Sequence, residues 1–303
     1  MILSQKKILL PIICVLVFGL FLFSFKDNNE PLNTISKNDC NYNVCALSIP
    51  ENINFCGESV PLNDFDVMER FDRELLVNTY WQSNGFLFFK RAHKYFPIIE
   101  PILELYGVPN DFKYLALIES GLRNISSPAG AKGFWQFMSS TAKEYNLEVN
   151  SNVDERSNLI LSTKAACNYL IKAKKRFGSW TLAAASYNAG GGRISNELKR
   201  QSVTSYYDLL LGEETSRYLF RILAVKEIFE NPAKYGFNFT NSNLYSYPEV
   251  YSIEVDSEIT DLVKFASKYK INYKQLKIHN PWLKERHLNN KSRKKYVIEI
   301  PKI

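Results

Sequence analysis

Histidine is scarce in this chain: three residues, His93, His279 and His287, scattered over 303 positions. Such scattering offers no tetrahedral ligand set, so no metal centre is expected, and no cofactor either. It also denies the five cysteines a neighbouring base in any recognisable motif, which argues against a catalytic thiol. Zinc-finger spacing and a glycine-rich phosphate loop are both absent, so nucleic acid is not expected as a partner. Cys40, Cys45 and Cys56 cluster in a polar stretch where one disulfide and one leftover thiol are compatible with export. Cys167 falls in a helical pattern and reads as a small core residue.

What is present is globular: 46% hydrophobic and 14% aromatic residues, enough for two domains. Charge is uneven, because residues 249–303 hold twelve Lys or Arg against seven Asp or Glu and so carry +5 of the net +7. A basic surface of that kind suits a carboxylate-bearing polymer or an anionic lipid, or serves only as a solubilising face. At the other end, Lys6 and Lys7 precede an uncharged run of 18 residues from Ile8 to Phe25. This is close to the about 20 residues that span a bilayer, and Phe23-Ser24-Phe25-Lys26 is a poor cleavage site. Residues 1–26 are therefore expected to be a signal anchor rather than a cleaved signal peptide, with the remainder exported.

Periodicity divides the rest. Residues 27–65 are polar without a sustained period and read as a linker. Helical patterns follow at Val67–Asn78, Phe86–Tyr95, Pro97–Tyr106, a segment ending at Glu119, Ser139–Tyr145, Leu159–Phe177, Trp180–Asn188 and Ser216–Phe229. Residues 66–230 thus form an all-α domain, 231–247 a second linker, and 248–303 a small α+β unit in the order βααβ.

One residue stands out chemically. At about 100° per residue, Glu119 shares a stripe with Phe112, Leu115 and Ala116, and Gly121 stops the helix behind it. A carboxyl aimed at the interior has its pKa raised by burial, as a general acid requires. The plain alternative is a glutamate that snorkels outward or pairs with Arg123. Asp154 and Glu155, the other conspicuous acids, precede the helix from Leu159 and read as helix-start or packing groups.

Four motifs occur in order: Glu119-Ser120, Gly133-Phe134-Trp135-Gln136, Tyr187-Asn188-Ala189-Gly190, and Glu214-Thr215 with Tyr218. Ser127-Pro128-Ala129-Gly130 and Val153-Asp154-Glu155-Arg156 support them. Together they resemble the family 1 lytic transglycosylases, which carry the soluble lytic transglycosylase (goose-lysozyme-like) domain. Over roughly residues 95–230 the chain is similar to the membrane-bound lytic murein transglycosylase D group. The resemblance implies a mainly α, lysozyme-like catalytic domain acting on the MurNAc-β-1,4-GlcNAc bond of peptidoglycan in the cell envelope or periplasm. It implies Glu119 as the single acid and base, giving 1,6-anhydro-MurNAc ends. It also implies sugar contacts at Ser127, Gln136, Met138, Tyr187 and Asn188, and a motif tyrosine at Tyr218 whose role the sequence leaves unassigned. Met138 and Trp135 have core packing as their alternative, and Ser120 is expected to support the helix end. Ser186 stands where the family's motif has alanine.

The βααβ unit resembles a LysM module, which implies binding to N-acetylglucosamine-containing glycans. It departs from that pattern at Asp256-Ser257-Glu258, where a Gly-Asp-Thr turn is expected, so a small packing domain of similar shape is the other reading. For the whole chain the alternatives are a hydrolytic goose-type lysozyme and a non-catalytic wall-binding scaffold.

Overall fold

The computed structural model describes residues 44–302. The anchor expected over residues 8–25 and Cys40 lie outside them. Among the described residues no helix is long and apolar enough to cross a membrane. The stretch from Ala46 onward forms one compact unit that holds both the helices and the C-terminal module.

This unit is mainly helical, with α1 (Phe65–Tyr80), α2 (Gln82–Leu105), α3 (Phe112–Ser120), α4 (Ser139–Glu144), α5 (Leu159–Phe177), α6 (Trp180–Ala189), α7 (Gly191–Gln201) and α8 (Glu213–Glu230). The polar stretch read as a linker contributes a hairpin, β1 (Asn54–Phe55) and β2 (Glu58–Ser59), to their core. Phe55 is fully buried, edge-on to Phe112 at 5.2 Å. A single apolar side chain inside a polar run has no period, so sequence patterning gave no sign of it. Glu58 caps α6 by accepting from the backbone N–H groups of Trp180 and Thr181 at 2.6 and 2.9 Å. Burial pushes the Glu58 carboxyl up, but these bonds and that from the Thr181 hydroxyl bring it down to about 2.

The helices differ from expectation at α2 and α7. Pro97, expected to start a new helix, lies inside α2, which runs on through Pro101 as well. Each removes a backbone donor, but Phe89, Phe96, Ile99, Ile102 and Leu103 are buried along the helix, and packing outweighs the local loss. The glycine run 190–192 ends α6 at Ala189 as expected, and α7, which periodicity did not reveal, starts at once at Gly191, since first-turn N–H groups need no helical partner. Elsewhere the ends are set by caps: Asn158 bonds the Leu161 N–H, and Gly178 closes α5 with φ of 73°.

The C-terminal module consists of β3 (Val250–Val255), α9 (Leu262–Lys268), α10 (Tyr273–His279) and β4 (Tyr296–Pro301). Strands β3 and β4 pair antiparallel from Val250 opposite Pro301 to Val255 opposite Tyr296. Its core includes Leu262, Leu276, Leu283, Ile298 and Ile300, together with Val153 from the helical domain. Asp154 N–H donates to the Trp282 carbonyl at 2.9 Å, and Asn152 bonds backbone atoms of His287 and Asn289. Lys294 reaches Glu148 at 2.7 Å and Glu155 at 2.6 Å. The module is docked on the 148–156 loop. In the stretch from 231, Tyr235 and Phe237 are buried, Phe237 lying 5.1 Å from Phe89.

Candidate active site

Glu119 stands on the last turn of α3, where Phe112, Leu115 and Ala116 of its stripe are fully buried. Gly121 ends the helix in the left-handed conformation, φ 60°, its N–H bonding the Leu117 carbonyl at 2.8 Å. The carboxyl is half-buried. Its one hydrogen-bond donor among the described residues is the Tyr218 hydroxyl of α8, at 2.5 Å. Tyr218 is itself 1% exposed. Arg221, one turn further along α8, spends a donor on the Ile118 carbonyl at 3.1 Å.

Burial raises the pKa of Glu119, the Tyr218 bond and the Arg221 charge oppose this, and the Glu214 charge adds to it. The outcome is a raised pKa, with burial the dominant cause. Tyr218 and Tyr187 are held well above the ordinary tyrosine value by burial and by the Glu119 charge. Both are therefore neutral, and Tyr218 is a dependable donor. The constellation can give a proton to a leaving oxygen and, once ionised, receive one.

The other expected residues split into two kinds. Tyr187 is near enough to feel the Glu119 charge, but its hydroxyl donates to the Trp135 carbonyl at 2.8 Å, while its ring sits 5.8 Å from Phe137 and 5.0 Å from Tyr169. Gln136 donates its amide to the carbonyls of Gly133 and Ile125 at 2.7 and 3.1 Å, with φ of 49°. Ser127 accepts the Ala131 N–H on Oγ at 3.0 Å and closes a turn. Asn188 accepts from the Thr215 hydroxyl at 2.9 Å and so ties α6 to the start of α8. Ser120 is buried and donates to the Phe134 carbonyl at 2.8 Å, which fastens the helix end to the loop. Met138 alone points outward, 43% exposed, so core packing is not its role; Trp135, by contrast, is fully buried with its indole N–H on Thr163 at 2.9 Å.

Gly133 is required by a close approach. A Cβ there would lie 1.9 Å from the Arg156 carbonyl, and φ is 84°. Arg156 in turn donates to the carbonyls of Gly130 and Phe137 and grips Asp154 through two bonds of 2.9 Å. Lys132 adds a third contact to Asp154 at 3.3 Å. Asp154 and Glu155 thus hold the loop and the module.

Sequence reasoning passed over Arg221. Its signal was available: Glu214, Tyr218 and Arg221 are spaced by four and three and share one face of α8. A groove of about 570 Å³ opens on this side, lined by Trp81, Phe88, Ile118, Glu214, Arg217 and Arg221. Among the described residues, no group of three or more His, Cys, Asp or Glu is arranged to hold a metal ion.

Comparison with known proteins matches residues 97–209 to the Transglycosylase SLT domain. Residues 251–303 match the Soluble lytic transglycosylase C-terminal LysM-like domain. The chain thus carries a segment similar to an SLT domain, followed by one similar to the LysM-like domain of soluble lytic transglycosylases. It is 30% identical over 200 residues to the membrane-bound lytic murein transglycosylase D of Escherichia coli K12, and equally to that of Escherichia coli O6:H1. Each match covers 64% of this chain and 44% of the relative, so the chain spans under half the length of these relatives. The 70 kDa soluble lytic transglycosylase of Escherichia coli overlaps 50% of this chain and 27% of its own, at 20% identity and a TM-score of 0.39.

Proposed function

We propose that this protein is a peptidoglycan lytic transglycosylase that cuts the MurNAc-β-1,4-GlcNAc bond with Glu119 as its only acid and base. The observation that carries this reading is the Glu119 carboxyl, its pKa raised by burial and its hydrogen-bond donor a neutral hydroxyl, Tyr218, instead of a cation. Protonated Glu119 gives its proton to the glycosidic oxygen, and the bond from that oxygen to C1 of MurNAc breaks. The substrate's acetamide oxygen stabilises the cationic carbon, as the family resemblance implies. The ionised Glu119, steadied by the Tyr218 hydroxyl, then takes the proton of the C6 hydroxyl as its oxygen bonds to C1 and closes the 1,6-anhydro ring. The carboxyl ends as it began.

Around it, Met138 is read as a sugar contact because its side chain is free to make one. Ser127, Gln136, Tyr187 and Asn188 are read as residues that keep the cleft in shape, since each spends a polar group on the protein. The protein acts in the cell envelope, with residues 8–25 as its tether, and the C-terminal module adds contact with glycan.

One observation favours a hydrolytic reading. The exposed Glu214 lies close enough for its charge to act on Glu119, and a hydrolytic route would use it as the second carboxylate. Mass spectrometry of muropeptides released from purified peptidoglycan separates the two. Products lighter by one water, ending in 1,6-anhydro-MurNAc, are expected. Reducing ends alone would make the protein a goose-type lysozyme, and Glu214→Gln would then abolish release.

A further inference from the structure

The helical domain and the C-terminal module enclose a cavity of about 430 Å³ whose walls include Tyr95 and Phe134 on one side and Tyr247, His279 and Trp282 on the other. The Glu119 carboxyl does not line it. Two polar atoms in these walls are buried and have no hydrogen-bond partner: Ser157 Oγ, on a residue with no exposed surface, and His279 Nδ1. A buried hydroxyl left unpaired is destabilising, so an orphan on a cavity wall marks a place where a ligand atom completes the bonding.

Charge indicates what kind of ligand. The two acids in the lining are occupied, Glu155 by Lys294 at 2.6 Å and Glu299 by the Tyr247 hydroxyl at 2.7 Å. Lys295 in the lining has Glu254 at 3.6 Å. Lys94 and Lys164 have no acidic partner among the described residues, and the Lys94 ammonium rests only against the rings of Tyr95 and Tyr247, at 5.1 and 5.6 Å. An aromatic and aliphatic chamber with two uncompensated ammonium groups and a free hydroxyl suits an anion with an apolar body. Its volume falls in the range of about 300–1,000 Å³ typical of small-molecule sites.

We propose that this cavity between the modules binds a short carboxylate-bearing peptide, with Lys94 and Lys164 facing its carboxylates and Ser157 donating to it. Its identification as the peptide stem of peptidoglycan rests on the proposed function; the binding chemistry does not. The site adjoins the catalytic loop. The Phe134 ring lies 5.0 Å from Tyr95 in the cavity wall, and its carbonyl accepts the Ser120 hydroxyl next to Glu119.

Calorimetric titration of the full chain carrying Glu119→Gln with L-alanyl-γ-D-glutamyl-L-lysine tests the site, because this peptide contains no glycosidic bond. Submillimolar binding is expected. Amidating the peptide's carboxylates, or the double change Lys94→Glu and Lys164→Glu, should weaken it at least tenfold, as should Ile278→Trp at the cavity mouth. Ser157→Ala should leave the melting temperature unchanged or higher while weakening the peptide several-fold. Undetectable binding at millimolar peptide, equal binding of the amidated peptide, or equal binding of the uncharged tetramer of N-acetylglucosamine would overturn the proposal. A failure of the wild-type chain to cleave glycan leaves these results intact, and their failure leaves the cleavage assay intact.

Discussion

Glu119 is half-buried and Asp154 fully buried, and their surroundings drive the two acids in opposite directions. Burial acts on each to favour the protonated form. Around Asp154 it is overcome by the Arg156 guanidinium and the Lys132 ammonium, and its pKa falls below the ordinary carboxyl value. Around Glu119 only a phenol donates and the nearby guanidinium of Arg221 is directed at a carbonyl, so burial prevails and the pKa rises. Burial alone does not raise a carboxyl's pKa; burial without a committed cation does.

The largest test of this contrast is Glu119→Gln. Loss of the transferable proton should reduce glycan cleavage by about 10²–10⁴-fold or more, with the fold retained in circular dichroism. Activity near that of the wild type would remove Glu119 from the chemistry.

Arg156→Met probes the other side. It strands a buried Asp154 and frees the carbonyls of Gly130 and Phe137, and should destabilise the protein by about 3–5 kcal/mol in urea denaturation. A loss under about 1 kcal/mol would mean that Lys132 alone suffices.

Tyr218→Phe is expected to act more gently, by about tenfold in kcat/KM, as the loss of one bond to a charged group. Its distinguishing mark is the pH profile. Tyr218 lowers the Glu119 pKa, so without it the alkaline limb should move to higher pH. An unmoved limb with slower turnover would make Tyr218 a packing residue only.

The smallest effect concerns stability against pH. Raised in the fold, the Glu119 pKa makes stability fall as pH climbs from the ordinary carboxyl value through the raised one. Depressed pKa values at Asp154 and Glu58 act in reverse: their contribution is present above the ordinary value and lost as pH drops through the folded one, about 2 for Glu58. The stability advantage of Glu119→Gln over the wild type should therefore grow with rising pH. A constant difference would show that Glu119 keeps its ordinary pKa.

What the sequence determined by itself was local. The stripe through Phe112, Leu115, Ala116 and Glu119 and the stop at Gly121 follow from helical period and left-handed geometry, which neighbours along the chain dictate. The βααβ order of the module was legible for the same reason: each element shows its own period and caps. Only the tertiary structure decided which buried carboxyl would be an acid. The Tyr218 donor comes from 99 positions away, and the Lys294 that holds Glu155 from 139 positions away. It also carried α2 through two prolines and drew Phe55 out of a polar run into the core, because burial against distant elements outweighs the preference of a short segment. A pKa is set by every charge and dipole within a few ångströms, and distance in space is what a linear pattern does not encode.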